Sequence, residues 1–308
     1  MFSQMEIKCI FIALVFTSIC SCNQEGFLSL SCGGTFGFVD SASISWVSDA
    51  PYVSSGNISW LSTSQDSRED ASAIPVRFFP NPQSRKCYNL PVKNGTSLVV
   101  LIRARFVYEN YDELGQPPAF YFSVGTAIAG SVDLRVRDPW TEEIVWPVKS
   151  EAIVFCLHSI DDRRSPVISS LELRPLPLNS YLSSQKWLQS RSLRKAYRIN
   201  CGSTHESLRY PLDRYDRIWD TDEQYAPRLS SEFNVRLRLN ASEVFEGIPD
   251  AVLQTARVAT RKSSLSYNLS LETLGDYYIV LYFAGILPVP PYFDVSVNGN
   301  VVRSNYTV

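Results

Sequence analysis

Two halves of this chain carry the same ordered set of short motifs, and this self-similarity constrains the fold more than any other feature. Leu28-Ser-Leu-Ser-Cys-Gly-Gly34 is matched by Tyr197-Arg-Ile-Asn-Cys-Gly-Ser203, and Ser45-Trp-Val-Ser-Asp49 by Arg217-Ile-Trp-Asp-Thr-Asp222. Leu98-Val-Val-Leu-Ile-Arg103 is matched by Tyr278-Ile-Val-Leu-Tyr-Phe283, and Pro117-Pro-Ala-Phe-Tyr-Phe-Ser-Val124 by Pro290-Pro-Tyr-Phe-Asp-Val-Ser-Val297. The offset is about 170 residues throughout, as two homologous modules in tandem require.

Within each half the pattern is that of strands. Phe27–Cys32, Ile74–Phe79, Ser97–Tyr108, Phe120–Val124, Val132–Val136, Ala152–Leu157 and Ile168–Leu173 are short apolar or alternating runs. Turn residues divide them: Gly33-Gly34, Asn81-Pro82, Asn94-Gly95 and Pro117-Pro118. The expected fold is all-β, two tandem jelly-roll-like β-sandwich modules. Module 1 is expected over residues 25–175, a linker with one helical turn over 176–196, and module 2 over 197–308. The second half has no counterpart of Trp140, Trp146, Cys156-Leu-His158 or Leu171–Pro175, so module 2 is expected to be incomplete and the chain to derive from a longer protein.

The N-terminus is read apart from the fold. Cys9–Cys20 is an apolar run too short to span a bilayer, and the small residues Ser21 and Cys22 precede polar Asn23-Gln24-Glu25. This is the layout of a signal peptide over 1–22, and no other run is long enough for a transmembrane span. Cleavage there leaves Cys32, Cys87, Cys156 and Cys201, enough for up to two disulfides in three connectivities or for free buried thiols. Their spacings are not of the CxxC type, so no metal site is expected. N-glycosylation sequons stand at Asn57, Asn94, Asn240, Asn268 and Asn305, in both halves. A net charge of −2 gives no footprint for nucleic acid, and two histidines leave little for imidazole chemistry.

Several motifs together resemble the plant malectin-like domain of receptor-like proteins with leucine-rich repeats, including the di-glucose-binding subgroup. They are Ser31-Cys-Gly-Gly34, Ser45–Asp49, Arg77-Phe-Phe-Pro80, Arg85–Pro91, Ala104–Asp112, Pro117-Pro118, Val154–His158 and Ile168–Leu176. Tyr215-Asp-Arg-Ile-Trp219, Asp276–Ala284 and Phe293–Gly299 carry the resemblance in the second half. It implies an extracellular, apoplastic recognition module, membrane-anchored in a longer form. The implied partner is a cell-wall glycan or a secreted peptide or protein, with a co-receptor and no cofactor. A structural half-receptor without its own ligand is one alternative, and a carbohydrate-active enzyme a second. The animal relative holds a glucose disaccharide with loop aromatics and an Asp. By that resemblance Tyr108, Tyr111 and Asp112, or Tyr215, Trp219 and Asp222 with Tyr225 nearby, are the candidate ligand-binding residues, although Ile286-Leu-Pro288 replaces the family's aromatic pair. Taken singly, each ring reads first as core or rim packing.

Catalytic readings are weaker. Glu142-Glu143 and Asp161-Asp162 are adjacent carboxylates that a strand would point to opposite faces, so neither is a two-carboxylate clamp, and each reads as a solvated turn. Cys156 and His158 share a strand face, and a packed strand is the simpler account than a nucleophile pair. No catalytic residue is assigned.

Overall fold

The computed structural model describes residues 24–61, 74–81, 85–92, 99–161, 163–177, 181, 191–203, 207–225, 230–234, 247–259, 264–283, 285, 289 and 291–308. The expected signal peptide, Asn94, Asn240, Asp162 and Ile286–Pro288 lie outside them.

The first half runs through Leu28–Ser31 (β1), Phe38–Val39 (β2), Ser45–Ser48 (β3), Asn57–Leu61 (β4), Ile74–Phe78 (β5), Cys87–Pro91 (β6) and Val99–Phe106 (β7). It continues through Ala119–Val124 (β8), Ala127–Asp133 (β9), Trp140–Pro147 (β10), Ala152–Ser159 (β11), Val167–Ile168 (β12), Ser170–Leu176 (β13) and Leu193–Arg194 (β14). These strands form a seven-stranded sheet in the order β14-β10-β7-β13-β1-β3-β2, a four-stranded sheet β6-β11-β8-β9 and a three-stranded sheet β12-β5-β4.

Inside the large sheet, β7 pairs antiparallel with β10 on one side and the central strand β13 on the other. The opening run Val-Val-Leu-Ile of β7 lacks polar alternation because both faces are covered there, and only Arg105 of the strand is exposed. Val100, Ile102, Ala104 and Phe106 point into the main core. Val99 and Leu101 join Val145 and Leu176 in a second cluster, against which Tyr181, Leu193 and Tyr215 pack. A strand buried on both faces reads as a continuous apolar stretch. Across the sandwich, Phe106 meets Phe120 edge-on at 5.3 Å, and within the four-stranded sheet Phe122 of β8 stacks on Phe155 of the neighbouring β11 at 5.7 Å.

Of the four cysteines, Cys87 and Cys156 face each other on β6 and β11 and form a disulfide. Cys32 and Cys201 are free, and Cys32 is buried. The two-disulfide alternative is thereby reduced to one bond.

In the second half, the described strands are Ile199–Asn200 (β15), Asp220–Thr221 (β16), Ser230–Asn234 (β17), Thr255–Ala259 (β18), Phe293–Val297 (β19) and Asn300–Tyr306 (β20). Each pair repeats one from the first half. β15 and β16 are parallel, with Ile199 opposite Asp220 and Asn200 opposite Thr221. At the matching positions β1 and β3 are parallel, with Leu30 opposite Val47 and Ser31 opposite Ser48. The antiparallel pair β17–β18 repeats β4–β5, and β19–β20 repeats β8–β9. The β19–β20 turn is Asn298-Gly299, both at positive φ, as a tight hairpin demands. The segment matching β7, Tyr278–Phe283, lies in no strand. Among the described residues of this half, Leu208, Trp219 and Val252 form a small buried cluster, Val252 on the short helix Asp250–Leu253, and Phe283, Phe293 and Tyr306 pack on one another.

Part of the stretch read as a linker departs from that expectation. Leu193–Arg194 is an edge strand on β10, with Arg194 Nε donating to Glu142 at 2.7 Å. A buried carboxylate at a sheet edge draws the guanidinium in and the backbone follows.

Candidate functional site

The first-half candidates lie on the β7–β8 loop. The Tyr108 ring is only 3% exposed. Its hydroxyl donates to Asp112 at 2.6 Å and accepts from the Gln116 amide at 2.9 Å. Asp138 accepts from the amides of Tyr108 and Glu109, Asn110 Oδ1 from the Gly115 amide, and Asp112 Oδ1 from the Leu114 amide. Tyr111 packs on Phe78 at 4.8 Å and edge-on to Tyr108 at 5.4 Å, and burial holds its phenol well above the ordinary value. Three non-glycine residues, Glu109, Asn110 and Glu113, have φ of 36°, 56° and 60°. Such backbone persists only where its surroundings fix it. The structure therefore brings Tyr108, Tyr111 and Asp112 together, but as the frame of the loop. Tyr108 offers no ring face for a sugar, contrary to expectation, and the loop's exposed side chains are Glu109, Asn110, Glu113, Leu114 and Gln116.

The second-half candidates are structural to a greater degree. Trp219 is 4% exposed, its indole donating to Asp213 at 2.7 Å. Tyr215 is half-buried against the outer face of the large sheet. Asp222 is fully buried and accepts from Arg257 at 2.9 and 3.0 Å and from the Tyr267 hydroxyl at 2.8 Å. Tyr225 is half-buried and packs edge-on to Tyr197 at 5.6 Å. An expected groove with exposed rings is not what Trp219 and Asp222 form.

The place of Asp222 follows from the repeat. Its first-half counterpart Asp49, also fully buried, accepts from Arg77 at 2.6 and 2.7 Å, from the Tyr88 hydroxyl at 2.9 Å and from the Gly33 amide at 3.0 Å. Cys32 lies in this cluster and burial pushes its thiol up, followed by the Asp49 charge; Cys201 beside Tyr267 is likewise raised by burial. Gly33 has φ +88° and a side chain there would meet the Val76 carbonyl, while Gly202 has φ +77° and would meet that of Ala256. Each half thus holds a Cys-Gly turn against the strand before an Arg, with an Asp and a Tyr closing the cluster.

A model of the malectin-like domain matches residues 30–308. The chain belongs to the malectin-like family. It is 33% identical over 86% of its length to the leucine-rich repeat receptor-like serine/threonine-protein kinase At2g14510 of Arabidopsis thaliana, covering 30% of that protein. It is 30% identical over 92% of its length to the probable leucine-rich repeat receptor-like protein kinase At2g28990 of the same plant, covering 32%. The chain spans about a third of the length of these curated relatives. The crystal structure of the ANX2 ectodomain from Arabidopsis thaliana superposes with a TM-score of 0.61 at 18% identity, over 74% of this chain and 64% of that one. That of plant peptide RALF23 in complex with FER and LLG2 gives 0.57 at 20% identity, over 75% and 64%. At these identities the structures show the shared fold.

In this malectin-like chain the two halves meet through charges that the sequence motifs did not mark. Arg103 stands in register between Glu143 and Glu172 on β7, β10 and β13. It reaches Glu143 at 2.8 Å, Glu172 at 2.9 Å and Asp216 of the second half at 3.1 Å. Arg174 and Arg209 each meet Asp216 at 2.8 Å, and Arg198 meets Glu143 at 2.6 Å. Burial would raise the carboxyl of Glu143, but Arg198 and Arg103 bring it from 4.5 to about 2. Glu142 and Glu143 are therefore buried strand residues and not a solvated turn. They do bind different partners, Glu142 taking Arg194 and the Trp140 indole. Asp161 caps the amides of Arg163 and Arg164 in an exposed turn. Cys156 is in a disulfide, which removes it as a nucleophile, and His158 Nε2 lies 2.7 Å from Ser123 Oγ. Among the described residues, no cluster of three or more His, Cys, Asp or Glu is placed to hold a metal ion, and no helix is long and apolar enough to cross a membrane.

Proposed function

We propose that this chain is the extracellular recognition part of a receptor-like protein, and that the 108–116 loop contacts a secreted peptide or protein ligand. One observation carries this reading: a surface loop at a sandwich end is fixed by its own hydrogen bonds with three non-glycine residues at positive φ. Such strain costs about 1–3 kcal/mol per residue and collects at binding sites, where a preformed surface lowers the ordering cost of association. Glu109 and Glu113 with Leu114 suit a peptide bearing a basic and an apolar side chain. The solved complex of RALF23, FER and LLG2, built on this fold, is consistent with a peptide ligand and a co-receptor. The exposed sequon asparagines Asn57, Asn268 and Asn305 suit N-glycosylation in the secretory pathway.

A second reading, glycan binding, is favoured by a different feature. On the β2–β3 hairpin, Phe38 is 51% exposed and stacks on Trp46 at 5.9 Å, with the Trp46 indole donating to Asp40 at 2.9 Å. A free ring face beside a carboxylate is the pairing a sugar uses.

The test is a thermal-shift screen of the secreted protein against secreted peptides and cell-wall oligosaccharides, since only native-state binding raises the melting temperature. Glu109→Ala with Glu113→Ala is expected to weaken a peptide hit about tenfold, roughly 1.4 kcal/mol, with the melting temperature of the free protein unchanged. Peptide affinity unmoved by that pair rules out the loop. Loss of an oligosaccharide hit in Phe38→Ala selects the second reading.

A further inference from the structure

Beside the 108–116 loop stands a cation that the loop's own bonds do not use. Arg137, on the connection between β9 and β10, lays its guanidinium over the Trp140 ring at 4.2 Å. Trp140 is itself held, 8% exposed and with its indole donating to the buried Glu142 at 2.7 Å. The stack fixes the plane of the guanidinium while the Arg137 side chain stays 48% exposed. The next residue, Asp138, accepts from the amides of Tyr108 and Glu109. Those bonds pin the Arg137 connection to the base of the loop, so a flat, oriented cation is anchored beside Glu109.

A guanidinium stacked on a ring keeps its N–H rim free in its own plane, and that rim matches the two oxygens of a carboxylate. One carboxylate is already close: Glu272 of the second half lies 3.8 Å from Arg137 Nη1. That distance is too long for a hydrogen bond, and with both side chains exposed the pair is weak and readily exchanged. The neighbouring charges on this connection are already committed. Arg135 closes on Asp133 through bonds of 2.7 and 2.6 Å, and Asp138 is bonded to the two loop amides.

We propose that Arg137 on Trp140 is a carboxylate subsite adjoining the recognition loop, which takes an acidic side chain or the free C-terminus of the peptide whose basic group meets Glu109 and Glu113. The subsite rests on the peptide ligand proposed above and adds the ligand's second charge, with Glu272 as the group displaced. The probes are synthetic peptides with a Lys-Leu pair and one Glu at varied spacing. Each is also made with Gln in place of that Glu and with its C-terminus free or amidated, and all are titrated calorimetrically into the secreted chain. Loss of the carboxylate is expected to cost about five- to tenfold in affinity for the native chain and nothing for Arg137→Ala. Whether the Gln exchange or the amidation carries that cost names the source of the carboxylate. Arg137→Lys should lose most of the preference, since an ammonium neither stacks flat nor forks. Glu272→Gln should strengthen the acidic peptide about two- to threefold by vacating the rim. Two peptides are compared on one variant, so any general loosening of the fold cancels. A carboxylate preference that Arg137→Ala leaves intact overturns the subsite, as does no preference in peptides that still need Glu109 and Glu113; either result spares the loop. Peptide binding indifferent to Glu109→Ala with Glu113→Ala, or no binding at any spacing, overturns loop and subsite together.

Discussion

Around Asp49 and around Asp222 the chain builds the same cluster twice: a Cys-Gly turn, a buried Asp, an Arg and a Tyr, with the same parallel strand pair leading in. Beyond the clusters the halves diverge. The first closes two facing layers over Phe106, Phe120, Phe122 and Phe155, whereas the described second half gathers Leu208, Trp219 and Val252 beside separate hairpins. Hairpins and polar clusters are specified by residues that lie near one another or are tied by a few directed bonds. A sandwich core needs an inner strand with neighbours on both sides: β7 has them, whereas among the described residues Ile279–Phe283 lies in no strand.

The widest test of this contrast is core truncation. Phe106→Ala removes a fully buried ring from the layer contact and should cost about 3–5 kcal/mol. Val252→Ala, in the small second cluster, should cost about 1 kcal/mol, since fewer neighbours lose contacts. Denaturant unfolding of both variants measures the difference, and equal losses would erase the distinction between the halves.

The repeated cluster sharpens the comparison. Asp49→Ala strands Arg77 and the Tyr88 hydroxyl inside the closed core, and breaking such a buried pair costs about 3–5 kcal/mol. Asp222→Ala does the same to Arg257, whose side chain is as buried as that of Arg77, but Tyr267 is only half-buried where Tyr88 is enclosed, and a smaller loss of about 1–3 kcal/mol is expected. Should Asp222→Ala prove the costlier, the second half is the better packed of the two.

Much of this was legible in the sequence, and what was not has a definite cause. Ordered motifs announced the repeat, and strand periodicity announced the all-β fold. Asp161 was rightly set in a turn. A loop position does not say whether a ring faces out: Tyr108 and Trp219 are buried, while Tyr111 and Tyr215 are half-buried. Tyr108 turns inward to hold Asp112 and the Gln116 amide, partners within its own loop. Asp222 had a sequence signal that went unread: an Arg follows each repeated Asp at a matching strand, Arg77 after Asp49 and Arg257 after Asp222. Glu142 and Glu143 looked solvated because their partners come from two distant segments, Arg103 on β7 and Arg194 and Arg198 some fifty residues on. No local pattern carries the contact of Arg103 with Asp216.

The junction between the halves should respond to acid. Glu143 is brought down to about 2, and Asp216 is likewise held below the ordinary carboxylate range, against burial, by Arg209, Arg103 and Arg174. Groups depressed in the folded state add stability that is fully present above their unfolded values, near 4.5 for Glu143, and lost as pH falls through about 2. Glu143 alone is worth on the order of 3 kcal/mol over that window. Thermal scans from pH 5 down to pH 2 should show a falling melting temperature, and Glu143→Gln should flatten the fall. An unchanged slope in that variant would mean that the junction is not held by this carboxylate.

The smallest effect concerns the proposed recognition loop, and here the sign matters more than the size. Glu113 has φ 60°, a region that favours glycine, and its side chain is exposed. Replacing it by Gly removes a backbone penalty of about 1–2 kcal/mol and adds unfolded-state freedom that costs about 0.5–1 kcal/mol. The expected net is a gain of up to about 1 kcal/mol, read as a small rise in melting temperature. The control is Glu151→Gly, at an exposed position between β10 and β11 without positive φ, where the same change should lower it. If both variants fall equally, the Glu113 backbone is not strained, and the argument from stored strain to a preformed ligand surface loses its footing. If Glu113→Gly rises while affinity for a peptide ligand drops, stability has been given up at that position for recognition, which the enclosed strands of the first half never need to do.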